Sequence, residues 1–483
     1  MTVPEAQHLI NGELRGSATR FDIVNPATEE VIGTAPDGSH EEMSEAIGAA
    51  RRAFDESDWS TDVDLRVRCL HQLHDALVEA GDEMRALITA EAGAPAFIVA
   101  GPQYDVPVGG IEWVADLIAS YDWESDLGRA EPMGIPTNRT VRREAVGVVG
   151  AITPWNFPNA INLAKVGPAL AAGNTVVLKP APDTPWVAAE LGRIVAEHTD
   201  IPAGVFNVVS SRDHGVGALL SEDPRVDLVS FTGSTATGRA VMAAGAPTLK
   251  RVFLELGGKS AAIVLDDADL AAAVGTAAFS VCVHAGQGCA LTTRLVVPRE
   301  RYDEAVEIAA ATMASIGTGD PTDPGTVCGP VISETQRDRI EGYLRLAEDE
   351  GGKFATGGTR ADRDRGFWIE PTVIAGLDNS ARVAREEIFG PVITVIAHDG
   401  DDDAVRIAND SPYGLSGSVD SGDLERARAV ARRVRTGTIA VNGGVWFNPD
   451  APFGGYKQSG IGREMGVAGL EEYLETKLIA EGA

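Results

Sequence analysis

The stretch Val146-Gly147-Val148-Val149-Gly150-Ala151-Ile152-Thr153-Pro154-Trp155-Asn156-Phe157-Pro158 decides the fold. Its first half is a short apolar run ending at a proline turn, and it reads as a strand. Four similar runs follow, with helical stretches between them: Asn174 to Leu178, Val205 to Val209, Asp227 to Phe231 and Ala261 to Leu265. Strands alternating with helices predict βα units and a mostly parallel sheet. Ligands of such sheets bind at the carboxyl ends of the strands. The turn Thr153 to Pro158 lies at one such end, where two prolines fix the backbone around Asn156. An asparagine held there can aim its amide N–H at a developing oxyanion, although a rigid turn explains the same residues locally.

Outward from this block, Ser39 and Glu42 form a capping box ahead of Met43, Ile47, Ala50 and Phe54 at helical spacing. Leu70, Leu73 and Leu77 mark another amphipathic helix. A second α/β stretch has Arg294 to Val297 and Pro391 to Ile396 as strands. Leu127 to Arg143 is polar and rich in Pro and Gly, and it reads either as a mobile loop or as an arm reaching another subunit.

The chain has 483 residues, which predicts two or three domains. Hydrophobic content of 44% and charged content of 23% are those of a globular protein. No apolar window is long enough for a membrane span, and the mean hydropathy is -0.03. Met1 to Glu13 lacks a basic region followed by an apolar core, so no secretory signal is predicted. Lys+Arg total 41 against 71 Asp+Glu, a net charge of -30 that disfavours nucleic acid and anionic membrane as partners. Four dispersed cysteines without a CxxC, and eight histidines without paired spacing, give neither a disulfide framework nor a metal site. The setting read from this is reducing and cytoplasmic.

Several motifs carry chemistry. Lys179 ends the apolar run Val176-Val177-Leu178 just before Pro180 and points a cation at the ligand edge, or snorkels to the surface. Phe231-Thr232-Gly233-Ser234-Thr235-Ala236-Thr237-Gly238 closes a strand and opens a helix, an anion site suited to pyrophosphate. Glu255-Leu256-Gly257-Gly258-Lys259 sets a carboxylate beside two glycines, where enclosure would raise its pKa and suit it to general-base work. Gly286-Gln287-Gly288-Cys289 frames a cysteine with small residues, and a thiolate there is a nucleophile if it is stabilised. Taken alone, such a cysteine is more often a small buried apolar residue. Glu386-Glu387-Ile388-Phe389-Gly390-Pro391 and Pro452-Phe453-Gly454-Gly455-Tyr456-Lys457-Gln458-Ser459-Gly460 complete the series.

In this order the motifs closely resemble those of the aldehyde dehydrogenase superfamily, from residue 153 to 460, with flanking segments that also fit. The resemblance implies the family fold: a Rossmann-like nucleotide-binding domain, an α/β catalytic domain and a small β oligomerisation element. The expected bounds are 1–126 with 146–255, then 256–445, then 127–145 with 446–483. It implies Cys289 as nucleophile, Asn156 as oxyanion donor helped by the Cys289 N–H, and Glu255 as the base that hydrolyses a thioester. Glu475 matches a glutamate suggested to aid proton relay. For the cofactor it implies Trp155 and Lys179 at the adenosine ribose and Gly233, Ser234 and Gly238 at the pyrophosphate. Glu387 falls at the nicotinamide ribose with Phe389 packed beside it, and Leu256 joins the cofactor-binding set.

NAD is the expected cofactor, with NADP admitted because Pro182 stands where many relatives carry a ribose-binding Glu. Gly288 before the nucleophile is a second departure. The partners implied are a small aldehyde and further copies of the chain, as a homodimer or homotetramer. Acyl transfer to coenzyme A by a semialdehyde dehydrogenase is the alternative reaction, disfavoured by Glu255. A non-catalytic relative is disfavoured by the joint presence of Cys289, Glu255 and Asn156. Phe157 and Val445-Trp446-Phe447-Asn448 are candidate pocket residues and favour apolar aldehydes.

Overall fold

The computed structural model describes residues 5–483. Five parallel strands form the middle of an eight-stranded sheet, in the order Arg251–Glu255, Leu228–Thr232, Val148–Ile152, Thr175–Lys179, Phe206–Val208. Gly460–Ile461 closes one edge antiparallel to Arg251–Glu255. His8–Ile10 and Glu13–Arg15 close the other. The helices Pro158–Ala171 and Trp186–His198 lie in one apolar layer of this sheet, and His214–Glu222 and Thr235–Gly245 in the other.

This topology places a site. From Val148–Ile152 the chain winds outward through Thr175–Lys179 and Phe206–Val208, then returns to Leu228–Thr232 on the opposite side of the starting strand. The winding therefore reverses between Val148–Ile152 and Leu228–Thr232, and ligands bind at such reversals, outside the carboxyl ends. Register brings those ends level: Ile152 pairs with Lys179 and with Phe231, and Thr232 pairs with Glu255.

A seven-stranded sheet follows, in the order Lys353–Thr356, Thr372–Ala375, Val392–His398, Arg294–Pro298, Ala261–Val264, Gly417–Asp420, Ala440–Val441. All its pairs are parallel except the first. Leu474–Gly482, Thr137–Ala145 and Glu124–Ala130 build a separate antiparallel sheet. The polar segment after residue 127 is thus a paired arm, with Met133 exposed at its tip.

The capping box forms: Ser39 Oγ accepts from the Glu42 N–H at 3.2 Å, and Glu42 Oε2 accepts from the Ser39 N–H at 2.8 Å. Behind it Met43, Ile47 and Ala50 are buried, and Leu70, Leu73 and Leu77 are buried in helix Val63–Glu79. The parallel strands fall within a residue or two of their expected places. Arg251–Glu255 was not anticipated, because charged residues at both ends interrupt its apolar run. Among the described residues no helix is long and apolar enough to cross a membrane.

Candidate active site

Four strand ends and two loops of the second α/β stretch make the site. After Ile152 the proline turn delivers Asn156, which is 4% exposed. Its Nδ2 donates to the Gln287 carbonyl at 2.9 Å. That uses one of two amide hydrogens and leaves the other for a ligand. Gln287 is itself held: Nε2 donates to the carbonyls of His284 (3.1 Å) and Pro330 (3.2 Å), and Oε1 accepts from the Ile332 N–H at 2.8 Å. The loop carrying Cys289 is therefore tied to the turn carrying Asn156.

Cys289 is half-buried. Burial pushes its thiol pKa well up, and the carboxylates of Glu387, Glu255 and Glu464 push the same way. These surroundings favour the protonated thiol. Glu255 lies at the end of its strand, 2% exposed, with neither carboxylate oxygen hydrogen-bonded. Desolvation raises its pKa well above the carboxylate range, and the charge of Glu464 adds to the rise. Such an isolated buried carboxyl is costly to the fold and suited to proton transfer.

Ser234 caps helix Thr235–Gly245, accepting from the Thr237 N–H at 3.1 Å. The unpaired N–H groups of that first turn face the strand ends. Gly238 is required by packing, since a Cβ there would lie 2.7 Å from the Leu256 side chain. Gly233 donates its N–H to the Glu255 carbonyl at 3.0 Å, joining the two motifs. Lys179 is 5% exposed and its Nζ makes no hydrogen bond among the described residues. Burial lowers its pKa to about 8, against the opposing carboxylates of Asp183, Asp37 and Asp213. Glu387 Oε1 accepts from the Gly258 N–H at 2.8 Å. Phe389 has a left-handed φ of 62° and meets the Trp155 ring edge-on at 5.4 Å.

One residue falls elsewhere. Glu475 is exposed on the arm strand Leu474–Gly482, paired with Arg251 at 3.3 Å, and does not join Glu255. The carboxylate that acts on Glu255 is Glu464, 6% exposed and 2.8 Å from Lys165 Nζ. Lys165 is fully buried, also donates to Ser230 Oγ at 3.0 Å, and sits over the Phe253 ring. Sequence reading missed this pair. Its one signal is that Lys165 is the only charged residue in the apolar helix Pro158–Ala171.

These features match known proteins. A family model described as "Aldehyde dehydrogenase family" covers residues 14–479, and the chain belongs to that family. It is 45% identical over 466 residues to a 3-succinoylsemialdehyde-pyridine dehydrogenase of a Pseudomonas species, covering 96% of this chain and 95% of that one. It is 41% identical to geranial dehydrogenase of Castellaniella defragrans, covering 99% of both. Among solved structures it superposes on betaine aldehyde dehydrogenase of Staphylococcus aureus in complex with NAD+ (TM-score 0.95, 37% identity, 99% and 95% covered). A cysteine-to-alanine mutant of aldehyde dehydrogenase C of Pseudomonas syringae, complexed with NAD+ and octanal, gives TM-score 0.93 at 41% identity, with 98% and 96% covered.

Proposed function

We propose that this protein oxidises an apolar aldehyde to its carboxylic acid with NAD, through a thioester on Cys289. The observation that carries this reading is the convergence of three groups: the Cys289 thiol, the buried and unpartnered Glu255 carboxyl, and an Asn156 amide with one N–H to spare. The residues present fit a dinucleotide. The first turn of Thr235–Gly245 suits a pyrophosphate, and the free Lys179 Nζ and the Glu387 carboxylate suit ribose hydroxyls. Bound NAD supplies the hydride acceptor.

The chain's residues do the rest. Cys289, its proton lost to solvent from the half-buried sulfur, attacks the carbonyl carbon, and the oxygen takes the electron pair. The Asn156 Nδ2–H and the Cys289 N–H stabilise that oxyanion. Loss of hydride from the adduct leaves the thioester. Glu255 then removes a proton from the attacking water, the C–S bond breaks, and acid and thiolate part. Glu464 and Lys165 set the charge around Glu255 and form a route for its proton. A coenzyme A acceptor would not need this base, so Glu255 supports hydrolysis.

Cofactor choice follows from charge. Pro182 removes one carboxylate, yet Asp183, Asp37 and Asp213 still surround Lys179 and oppose a 2′-phosphate. A cavity of about 560 Å³ touches Ala290, Leu291, Thr292 and Trp446 but is not lined by Cys289, Glu255 or Asn156, so the substrate reading rests on the aromatic residues near Trp446. Trp446 stacks on Phe453 at 5.1 Å and meets Phe447 edge-on at 5.9 Å. The geranial and octanal named for two relatives are of this apolar class. The arm sheet exposes Leu127, Ile135 and Leu478, which suits it to subunit contact in a homodimer or homotetramer.

The test is a kcat/KM panel with NAD: octanal, citral and benzaldehyde against succinic semialdehyde. The apolar aldehydes are expected to lead by at least an order of magnitude, roughly the worth of a few buried methylenes. Preference for the anionic substrate overturns the substrate assignment, and NADH formation by Cys289→Ala overturns the nucleophile.

A further inference from the structure

The backbone carbonyl of Asn156 receives two side-chain donors from distant parts of the chain. Gln103 Nε2 lies at 2.9 Å and His284 Nε2 at 2.9 Å. Both donors are costly to put there. Gln103 ends a π-helical turn, Val99–Gln103, that contains Pro102. Such turns are rare and recur at functional sites. His284 and the next residue, Ala285, both take left-handed φ, 50° and 52°. A non-glycine residue held so is strained and persists only where its surroundings over-determine it. Gln103 Oε1 and His284 Nδ1 are left buried without partners. An unpaired buried polar atom is destabilising, since it has lost its hydrogen bonds to water without replacement. Stability gives no reason for two strained segments and two orphaned acceptors. Their common product is one doubly bonded carbonyl oxygen.

We propose that His284 and Gln103 are positioning residues that clamp the Asn156 peptide, so that its side-chain amide meets the oxyanion formed on Cys289. This rests on the oxyanion role of Asn156 given above. A carbonyl holding two N–H groups on its two lone pairs fixes the plane of its peptide. His284 fixes the partner loop as well: its own carbonyl accepts from Gln287 Nε2, two residues before the nucleophile. One residue thus references both the oxyanion donor and the cysteine to a single frame. The imidazole is suited to this task. A carbonyl only accepts, so Nε2 carries the hydrogen, and burial holds the ring neutral with its pKa lowered to about 4. The Phe157 ring meets it edge-on at 5.7 Å and sets its orientation.

The experiment is a double-mutant cycle read by the stopped-flow NADH burst with octanal and NAD. His284→Leu removes the donor at similar size, and His284→Gln keeps an N–H. Asn156→Ala removes the amide being positioned. His284→Leu is expected to slow the burst by about 10–100-fold, since a displacement of an ångström at a reacting centre costs on that order. NAD affinity is expected to stay unchanged, and His284→Gln to recover most of the rate. In the Asn156→Ala background His284→Leu is expected to cost nothing further, because the amide it positions is gone. Losses that multiply across the two sites, or a burst unaffected by His284→Leu, overturn the clamp. A full-rate burst in Asn156→Ala alone overturns the oxyanion role and the clamp with it. If His284→Leu does not fold, Gln103→Leu takes its place in the same cycle, with the same outcomes.

Discussion

Replacing Glu255 by Gln isolates the second half of the reaction. Glutamine matches the volume of the side chain, and neither carboxylate oxygen has a hydrogen bond to lose. The variant should therefore fold as well as the parent. General-base catalysis contributes about 10²–10⁴-fold, or roughly 3–5 kcal/mol of barrier at ~1.36 kcal/mol per tenfold. That loss should fall on deacylation. The assay is a stopped-flow NADH trace with octanal: a burst near one NADH per active site, then a steady state slowed by that factor. The pH profiles give a second readout. The raised pKa of Glu255 means its basic form is lost as pH falls through a value well above the usual carboxylate range. Parent kcat should therefore decline on the acid side there, and the variant should lack that limb. The stability sign is opposite. A carboxyl whose folded pKa is raised destabilises progressively as pH climbs from its unfolded toward its folded value, and the variant is spared this. A full burst followed by a steady state within about threefold of the parent refutes Glu255 as the base.

Three other outcomes follow from the same geometry. Cys289→Ala should abolish NADH formation while leaving NAD binding, measured by fluorescence titration, intact. Glu464→Gln removes a negative neighbour of Glu255, so the acid limb of kcat should move to lower pH; because it also leaves Lys165 buried and unpaired, it should destabilise by about 3–5 kcal/mol in denaturant titration. Asp213→Asn keeps the cap of helix His214–Glu222 but deletes one carboxylate near Lys179; the NADP-to-NAD ratio of kcat/KM should rise about tenfold, for roughly one unit charge in a partly solvated cleft.

The motifs legible in the sequence are those whose backbone needs are local. The proline turn at Asn156, the capped helix at Ser234 and the glycines after Glu255 each announce themselves over a few residues. Their convergence was legible only through the strand rhythm that sets them at one edge of a parallel sheet. Glu464 was not legible, because its meaning lies in a lysine 299 residues away. Glu475 looked suitable by motif, but the strand it occupies pairs with the arm and turns it to solvent. The clamp on Asn156 was hidden for a related reason: Gln103 and His284 are ordinary residues, and only their backbone is unusual. Pro182 predicts a loss of negative charge beside Lys179, where the adjacent Asp183, with Asp37 and Asp213 from other segments, still supplies carboxylates.

The Lys165–Glu464 pair joins a helix that follows the first parallel strand to a residue close to the chain's end. Gly460–Ile461 likewise completes the edge of the strand bearing Glu255. During synthesis, then, Cys289, Asn156 and the turn at Ser234 are all made before the residues that surround Glu255. A chain that stops short of residue 460 carries the Cys289 thiol but lacks the Glu464 carboxylate that adds to the rise of the Glu255 pKa. The setting of Glu255 is therefore the last part of the candidate site to be supplied as the chain is made, when residues 460–464 dock on strand Arg251–Glu255 and on Lys165.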